Sequence, residues 1–318
     1  MQNIYRSLIL ILLFLAPLVV TAQQLWNKAA ADHYNHGNER YLKGDYDGAI
    51  SEYTQAIELS TRLDLDRSRG SDYRQNALPS SPSNDGIRVI DPFSALPYTN
   101  RCLARYRKGD YEAAISDCNR AIAINPRLVE AYNNRGTVLY EKDDLDGALA
   151  DYDQAIKLKP REAETYNNRG NVRRDKGDLQ GALADFDQAI LLKPNQATIF
   201  ANRGSARRDA GDRLGALADF NRAIDLDPRS AGGYYGRGLT IRDRGELDRA
   251  IADFDRAIKL SPRFAMIYCD KGLALLLQGK DNEAEKEFDQ CLRLDPGLKT
   301  KLEERIDTVK KILKNKER

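Results

Sequence analysis

The sequence predicts an all-α solenoid of tandem helix-turn-helix units. Prolines stand at 126, 160, 194, 228, 262 and 296, each 34 residues after the last. A repeat of that length marks stacked supersecondary units, none of which can bury its apolar face alone. Each interval also holds two stretches of helical apolar spacing separated by a glycine–aspartate or similar break.

Taken from the N-terminus, the first element differs from all that follow. Arg6 precedes an unbroken apolar run from Leu8 to Val20, and Val20-Thr21-Ala22 supplies the small residues of a cleavage site. Residues 1–22 are expected to be a secretory signal, because an apolar core of about 13 residues is shorter than the roughly 20 a spanning helix needs. An exported, periplasmic or secreted protein is the consequence. Only an uncleaved segment would bring in the membrane, as an anchor.

Residues 23–63 form an N-terminal segment and a first unit (30–63) with Thr61 where proline would stand. Residues 64–94, with Leu78-Pro79-Ser80-Ser81-Pro82 at their centre, are expected to be a flexible insertion loop. Six contiguous units follow at 95–128, 129–162, 163–196, 197–230, 231–264 and 265–298. Beyond them Leu302, Ile306, Val309 and Leu313 recur at helical spacing among lysines and glutamates, so 299–318 should be a capping helix.

One unit shows why the residues fall where they do. In 163–196 the first helix carries Tyr166-Asn167-Asn168-Arg169-Gly170, and Gly177-Asp178 ends it and caps the next. The second helix reads Ala182 to Ile190, with Ala182, Phe186 and Ala189 on its inner face, and Pro194 stops it. Gly170 and Ala182 allow the helices to approach, and Phe186 fills the space beside them.

These units resemble the tetratricopeptide repeat family over about 30–298. The resemblance implies a right-handed superhelix whose first helices line a concave groove that receives a peptide or a partner helix. Three departures stand out. The slot where the family usually carries leucine holds Arg101, Arg135, Arg169, Arg203, Arg237 and Lys271; Cys102 replaces a glycine; and Thr61 replaces a proline.

Sixteen residues after those cations come Asp117, Asp151, Asp185, Asp219, Asp253 and Glu287, so structural ion pairs Arg135–Asp151, Arg169–Asp185, Arg203–Asp219 and Arg237–Asp253 are expected across each hairpin. His36 would pair with Glu52 in the first unit. If exposed, each pair contributes about 0–1 kcal/mol. A row of arginines for an anionic ligand is the competing reading, weakened by the waiting carboxylates.

Asn35, Asn100, Asn134, Asn168 and Asn202 share one slot, two before the glycine slot, and give way to Gly236 and Asp270. Asparagine is an indifferent helix former, yet its amide offers a donor and an acceptor to a peptide backbone. The row is similar to the asparagine ladder of the family's protein O-glycosyltransferases, which implies peptide binding; the alternative is that the amides brace neighbouring helices. The groove slot Leu96, Glu130, Glu164, Thr198, Gly232 and Met266 contains no cation, unlike the dicarboxylate clamp of the family's cytosolic chaperone adaptors.

Four cysteines permit pairing inside single hairpins, Cys102 with Cys118 being favoured over Cys269 with Cys291 because both should face the partner helix; buried thiols are the other reading. The 50 basic and 48 acidic residues nearly cancel, which gives no field for nucleic acid. His33 and His36 share a face but have no third histidine, so no metal is expected, and Tyr98, Tyr132, Tyr166, Tyr234 and Tyr268 occupy a core slot. No phosphate loop or nucleophile elbow occurs. The function expected is therefore a non-catalytic scaffold or adaptor for a protein or peptide partner, with no cofactor and no small-molecule substrate; a self-assembling structural repeat protein is the alternative.

Overall fold

A computed structural model describes residues 28–75 and 94–316. The expected signal segment and residues 76–93 of the insertion lie outside the described residues. Those that are described form fifteen α-helices and no strand, and no helix among them is long and apolar enough to cross a membrane.

The chain divides into two compact units at Pro160/Arg161. The first holds α1 (28–42), α2 (Tyr46–Gln75), α3 (Ala95–Lys108), α4 (Tyr111–Ile124), α5 (Val129–Glu141) and α6 (Leu145–Leu158). Here α3 packs on α4 and α5 on α6 as antiparallel hairpins, while α2 stacks on α3, α4 on α5, and α3 on α5. In the second unit the hairpins are α7 (Ala163–Asp175) with α8 (Leu179–Leu192), α9 (Ala197–Asp209) with α10 (Arg213–Leu226), α11 (Ala231–Arg242) with α12 (Leu247–Leu260), and α13 (Ala265–Leu277) with α14 (Asp281–Leu294). A 3₁₀ turn, Pro296–Leu298, then leads into α15 (Lys299–Lys316), which packs on α13. The last core is shared with this cap, whose Leu302 and Val309 are buried beside Leu273, Leu276 and Phe288.

Local chemistry sets the helix ends. The side chains of Asp110, Asp144, Asp178 and Asp212 accept hydrogen bonds from the backbone N–H three residues on, capping α4, α6, α8 and α10. Each second helix up to α14 stops two residues short of the repeat proline. Gly177 closes α7 at φ 81°, a left-handed conformation that glycine adopts without a Cβ penalty. In the hairpin α5/α6 the same position is Asp143, at φ 63°. Asp143→Gly is therefore expected to raise stability by about 1 kcal/mol in urea unfolding, the cost of holding an L side chain in that region.

The insertion departs from its expected form. Helix α2 does not end at 63 but runs on to Gln75, so residues 64–75 are helical and not loop. The stretch after Thr61 contains no proline, and its single Gly70 is a tolerable cost within a helix that already has a long start.

Candidate functional site on the first helices

Six of the seven hairpins are pinned by a glycine set against an aromatic ring. A Cβ on Gly170 would stand 2.8 Å from Phe186, and one on Gly204 2.9 Å from Phe220. Tyr53, Tyr152, Phe186, Phe220 and Phe254 are consequently the largest side chains in the core, and burial pushes the Tyr53 hydroxyl up to about 12. The earlier aromatic slot is different. Tyr132 is buried, whereas Tyr98, Tyr166, Tyr234 and Tyr268 are half-buried against the core clusters, and the arginine three residues on lies over the rings of Tyr98, Tyr132, Tyr166 and Tyr234 at 5.5–5.8 Å.

Those arginines make the ion pairs expected of them. Arg135, Arg169, Arg203 and Arg237 each grip Asp151, Asp185, Asp219 and Asp253 with two parallel hydrogen bonds of 2.5–2.9 Å. Arg101 does the same with Asp117. The condition of exposure is not met, since these aspartates are 3–7% exposed. A second arginine, Arg105, Arg173 or Arg207, reaches three of them. The hydrogen bond to Asp151 comes first in holding the Arg135 guanidinium above its ordinary value, and that to Asp253 does so for Arg237.

The same cations also reach backward to the second helix of the preceding hairpin. Arg101 donates to Thr54, Arg135 to Asn119, Arg203 to Asp187 and Arg237 to Asn221, while Lys271 reaches both Asp255 and Glu287. The ladder thus ties hairpin to hairpin, a role the sequence reading missed although Asn119, Asp187, Asn221 and Asp255 recur at the repeat interval. In the first hairpin the pairing is corrected: His33, not His36, meets Glu52, at 2.7 Å. Its imidazole is the first cause of Glu52 lying below the usual carboxylate range. An imidazole is too short to span the distance an arginine covers from the slot of His36.

The asparagines lie along the first helices, and their contacts differ from unit to unit. Asn134 donates to the Thr99 carbonyl at 3.3 Å, and Asn202 to Asn167 Oδ1 at 2.9 Å. Asn100 donates to the Tyr34 hydroxyl and to Asn38 Oδ1. Asn168 accepts from Asn167 at 3.3 Å, and Asn35 is exposed. Three of the five amides therefore brace adjacent first helices. Asn134 and Asn202 each keep a second N–H and the Oδ1 atom for another partner. In the last hairpin the slot is Asp270, buried and bound by Tyr235, Arg242 and Arg305.

Alongside, Glu130, Glu164, Thr198 and Gly232 are exposed. A further row changes character between the units: Tyr41, Tyr106 and Tyr140 in the first occupy the slot that Arg174, Arg208 and Arg242 occupy in the second. Each of these arginines is neutralised by the aspartate that follows it, at 2.9–3.1 Å. Cys102 and Cys118 are joined in a disulfide, and so are Cys269 and Cys291, the pair the sequence reading ranked second. Among the described residues no cluster of ligands could hold a metal ion.

Stacked hairpins with polar rows along their first helices define a helical-repeat interaction scaffold. The chain belongs to the tetratricopeptide repeat family: models of the TPR repeat match 103–143, 136–174 and 170–211, and tetratricopeptide repeat models match 33–62, 201–263 and 235–298. Proteins of this family bind protein or peptide partners, and the repeat fold is generally a non-catalytic scaffold. Among solved structures, a tetratricopeptide repeat protein from Parabacteroides merdae is 18% identical with a TM-score of 0.65, the match covering 89% of this chain and 99% of that one. PilW, a type IV pilus biogenesis factor, is 21% identical at TM-score 0.58, covering 68% and 97%. MamA is 30% identical at TM-score 0.42, covering 51% and 94%.

Proposed function

We propose that the protein is an exported, non-catalytic adaptor that holds an extended segment of a partner polypeptide along its first helices. The observation that carries this reading is the asparagine row. Asn134 and Asn202 are fixed by one N–H to the preceding helix, which costs little further entropy when the remaining amide groups meet a peptide backbone. Backbone hydrogen bonding of this kind gives affinity with little demand on sequence. Export is supported by the apolar segment Leu8–Val20 and by two disulfides, which persist in oxidising compartments.

Photocrosslinking tests the proposal. A benzophenone amino acid replaces Glu164 or Thr198 beside the asparagine row, or Leu191, which is 75% exposed on a second helix. Envelope extract is added, and each protein is compared with a variant bearing Asn134→Ala, Asn168→Ala and Asn202→Ala, whose helicity is checked by circular dichroism. The expected result is one polypeptide joined at 164 and 198 and lost in the variant. Adducts at 191 alone would place binding on another face, and adducts untouched by the three substitutions would leave the asparagines as braces.

A further inference from the structure

We propose that the Cys102–Cys118 disulfide replaces the glycine-against-ring contact as the pin of hairpin α3/α4, and so makes the first part of the array conditional on redox state. The six other hairpins all carry that contact: Gly37 on Tyr53, Gly136 on Tyr152, Gly170 on Phe186, Gly204 on Phe220, Gly238 on Phe254 and Gly272 on Phe288. In α3/α4 both members are exchanged together. Cys102 stands in the glycine slot, Cys118 in the ring slot, both are fully buried, and they are bonded with their Cα atoms 5.6 Å apart.

The second disulfide provides the contrast. Cys269–Cys291 lies in a hairpin that retains Gly272 against Phe288, so its bond adds to a pin that is already present. Only α3/α4 has nothing else in that place. A dithiol reductant would pass two electrons and two protons to the bond, becoming a disulfide itself and leaving two thiols. These small groups then occupy a site where neighbouring α5/α6 has a whole tyrosine ring, and Ala114 and Val138 around them lose their packing. The loop closed by the bond spans 16 residues, and opening it also restores freedom to the unfolded chain.

The effect would pass to the preceding hairpin through α3. Asn100 holds α1 by Tyr34 and Asn38, and Arg101 holds α2 by Thr54. An array whose units are stabilised mainly by neighbours loses its end when the adjacent unit opens.

Hydrogen exchange of the full-length protein with and without dithiothreitol reads this directly. Peptides from α3 and α4 are expected to exchange about 100-fold faster after reduction, the factor expected for loss of a bond closing such a loop, with α1 and α2 following. Peptides from α7 to α10, and from α13 and α14, should change much less. The variant Cys102→Gly/Cys118→Tyr installs the pair found in α5/α6, and its α3/α4 protection is expected to be insensitive to reductant. Unchanged protection of wild-type α3/α4 in dithiothreitol would overturn the proposal, as would equal loss in α13/α14 or alkylation of Cys102 and Cys118 without reductant.

Discussion

Asp185→Ala is expected to destabilise the protein by about 3–5 kcal/mol, measured by urea unfolding followed by both circular dichroism and fluorescence. The carboxylate accepts from Arg169 Nε and a terminal guanidinium nitrogen at 2.9 and 2.5 Å, and from Arg173 at 2.9 Å. Its side chain is 4% exposed. Truncation removes the buried acceptor that the Arg169 and Arg173 guanidinium groups share, leaving Arg173 the Gly181 carbonyl at 3.3 Å and Asp178 at 3.8 Å. An exposed pair would contribute no more than about 1 kcal/mol, so the magnitude separates the two descriptions of the ladder.

The array contains its own control. Lys271 and Glu287 occupy the corresponding slots, but the Glu287 side chain is 19% exposed against 4% for Asp185, and Lys271 keeps Asp255 at 2.7 Å when Glu287 is removed. Glu287→Ala should therefore cost about 1 kcal/mol or less. A double-mutant cycle on Arg169 and Asp185 should show coupling of at least about 1 kcal/mol. Replacing both by apolar residues, Arg169→Leu being the residue type the family usually has there, should cost less than Asp185→Ala alone, because no charge is stranded. A cost for Asp185→Ala no greater than that for Glu287→Ala would remove the buried ladder from the account of stability.

What was legible in the sequence follows from what repeats. The proline interval set the hairpins, and the sixteen-residue offset set Arg169 on Asp185, because both are local within a unit and recur in every unit. Burial of the pair was not legible, since it depends on the second arginine, Arg173, and on the hairpin behind. The backward contacts to Asn119 and Asn221 required knowing which faces of successive hairpins meet. In the first hairpin the pattern is degenerate, and His33 took the place expected for His36. Helix α2 outran its expected end because nothing in 64–75 stops a helix, whereas every later unit has its proline. The asparagine row was legible as a row, but not that Asn100, Asn134 and Asn202 spend part of their amide on the preceding helix.

The end of that row explains the cap, and it yields the second large effect. At Asp270 the asparagine slot becomes a carboxylate that is 1% exposed. Arg242 donates to it at 2.6 Å from α11, Tyr235 at 2.6 Å, and Arg305 from α15. Arg305 stands 34 residues beyond Lys271, in the slot from which Arg169 and Arg203 meet an acid on the second helix of their own hairpins. It turns to Asp270 instead, and the cap is held by charge as well as by Leu302 and Val309. Burial first, and then the neighbouring carboxylate, raise the Tyr235 hydroxyl above its ordinary value, so it remains a donor. Asp270→Ala should cost about 3–5 kcal/mol, with the loss concentrated in α13 and α15, and trypsin should then cut within α15 while α7 to α10 resist. Asp270→Asn, which extends the asparagine row by one and keeps acceptor oxygen for Arg242 or Arg305, should cost clearly less. If the two substitutions are equal, or if α15 remains as protected in Asp270→Ala as in the wild type, the cap is held by its apolar face alone.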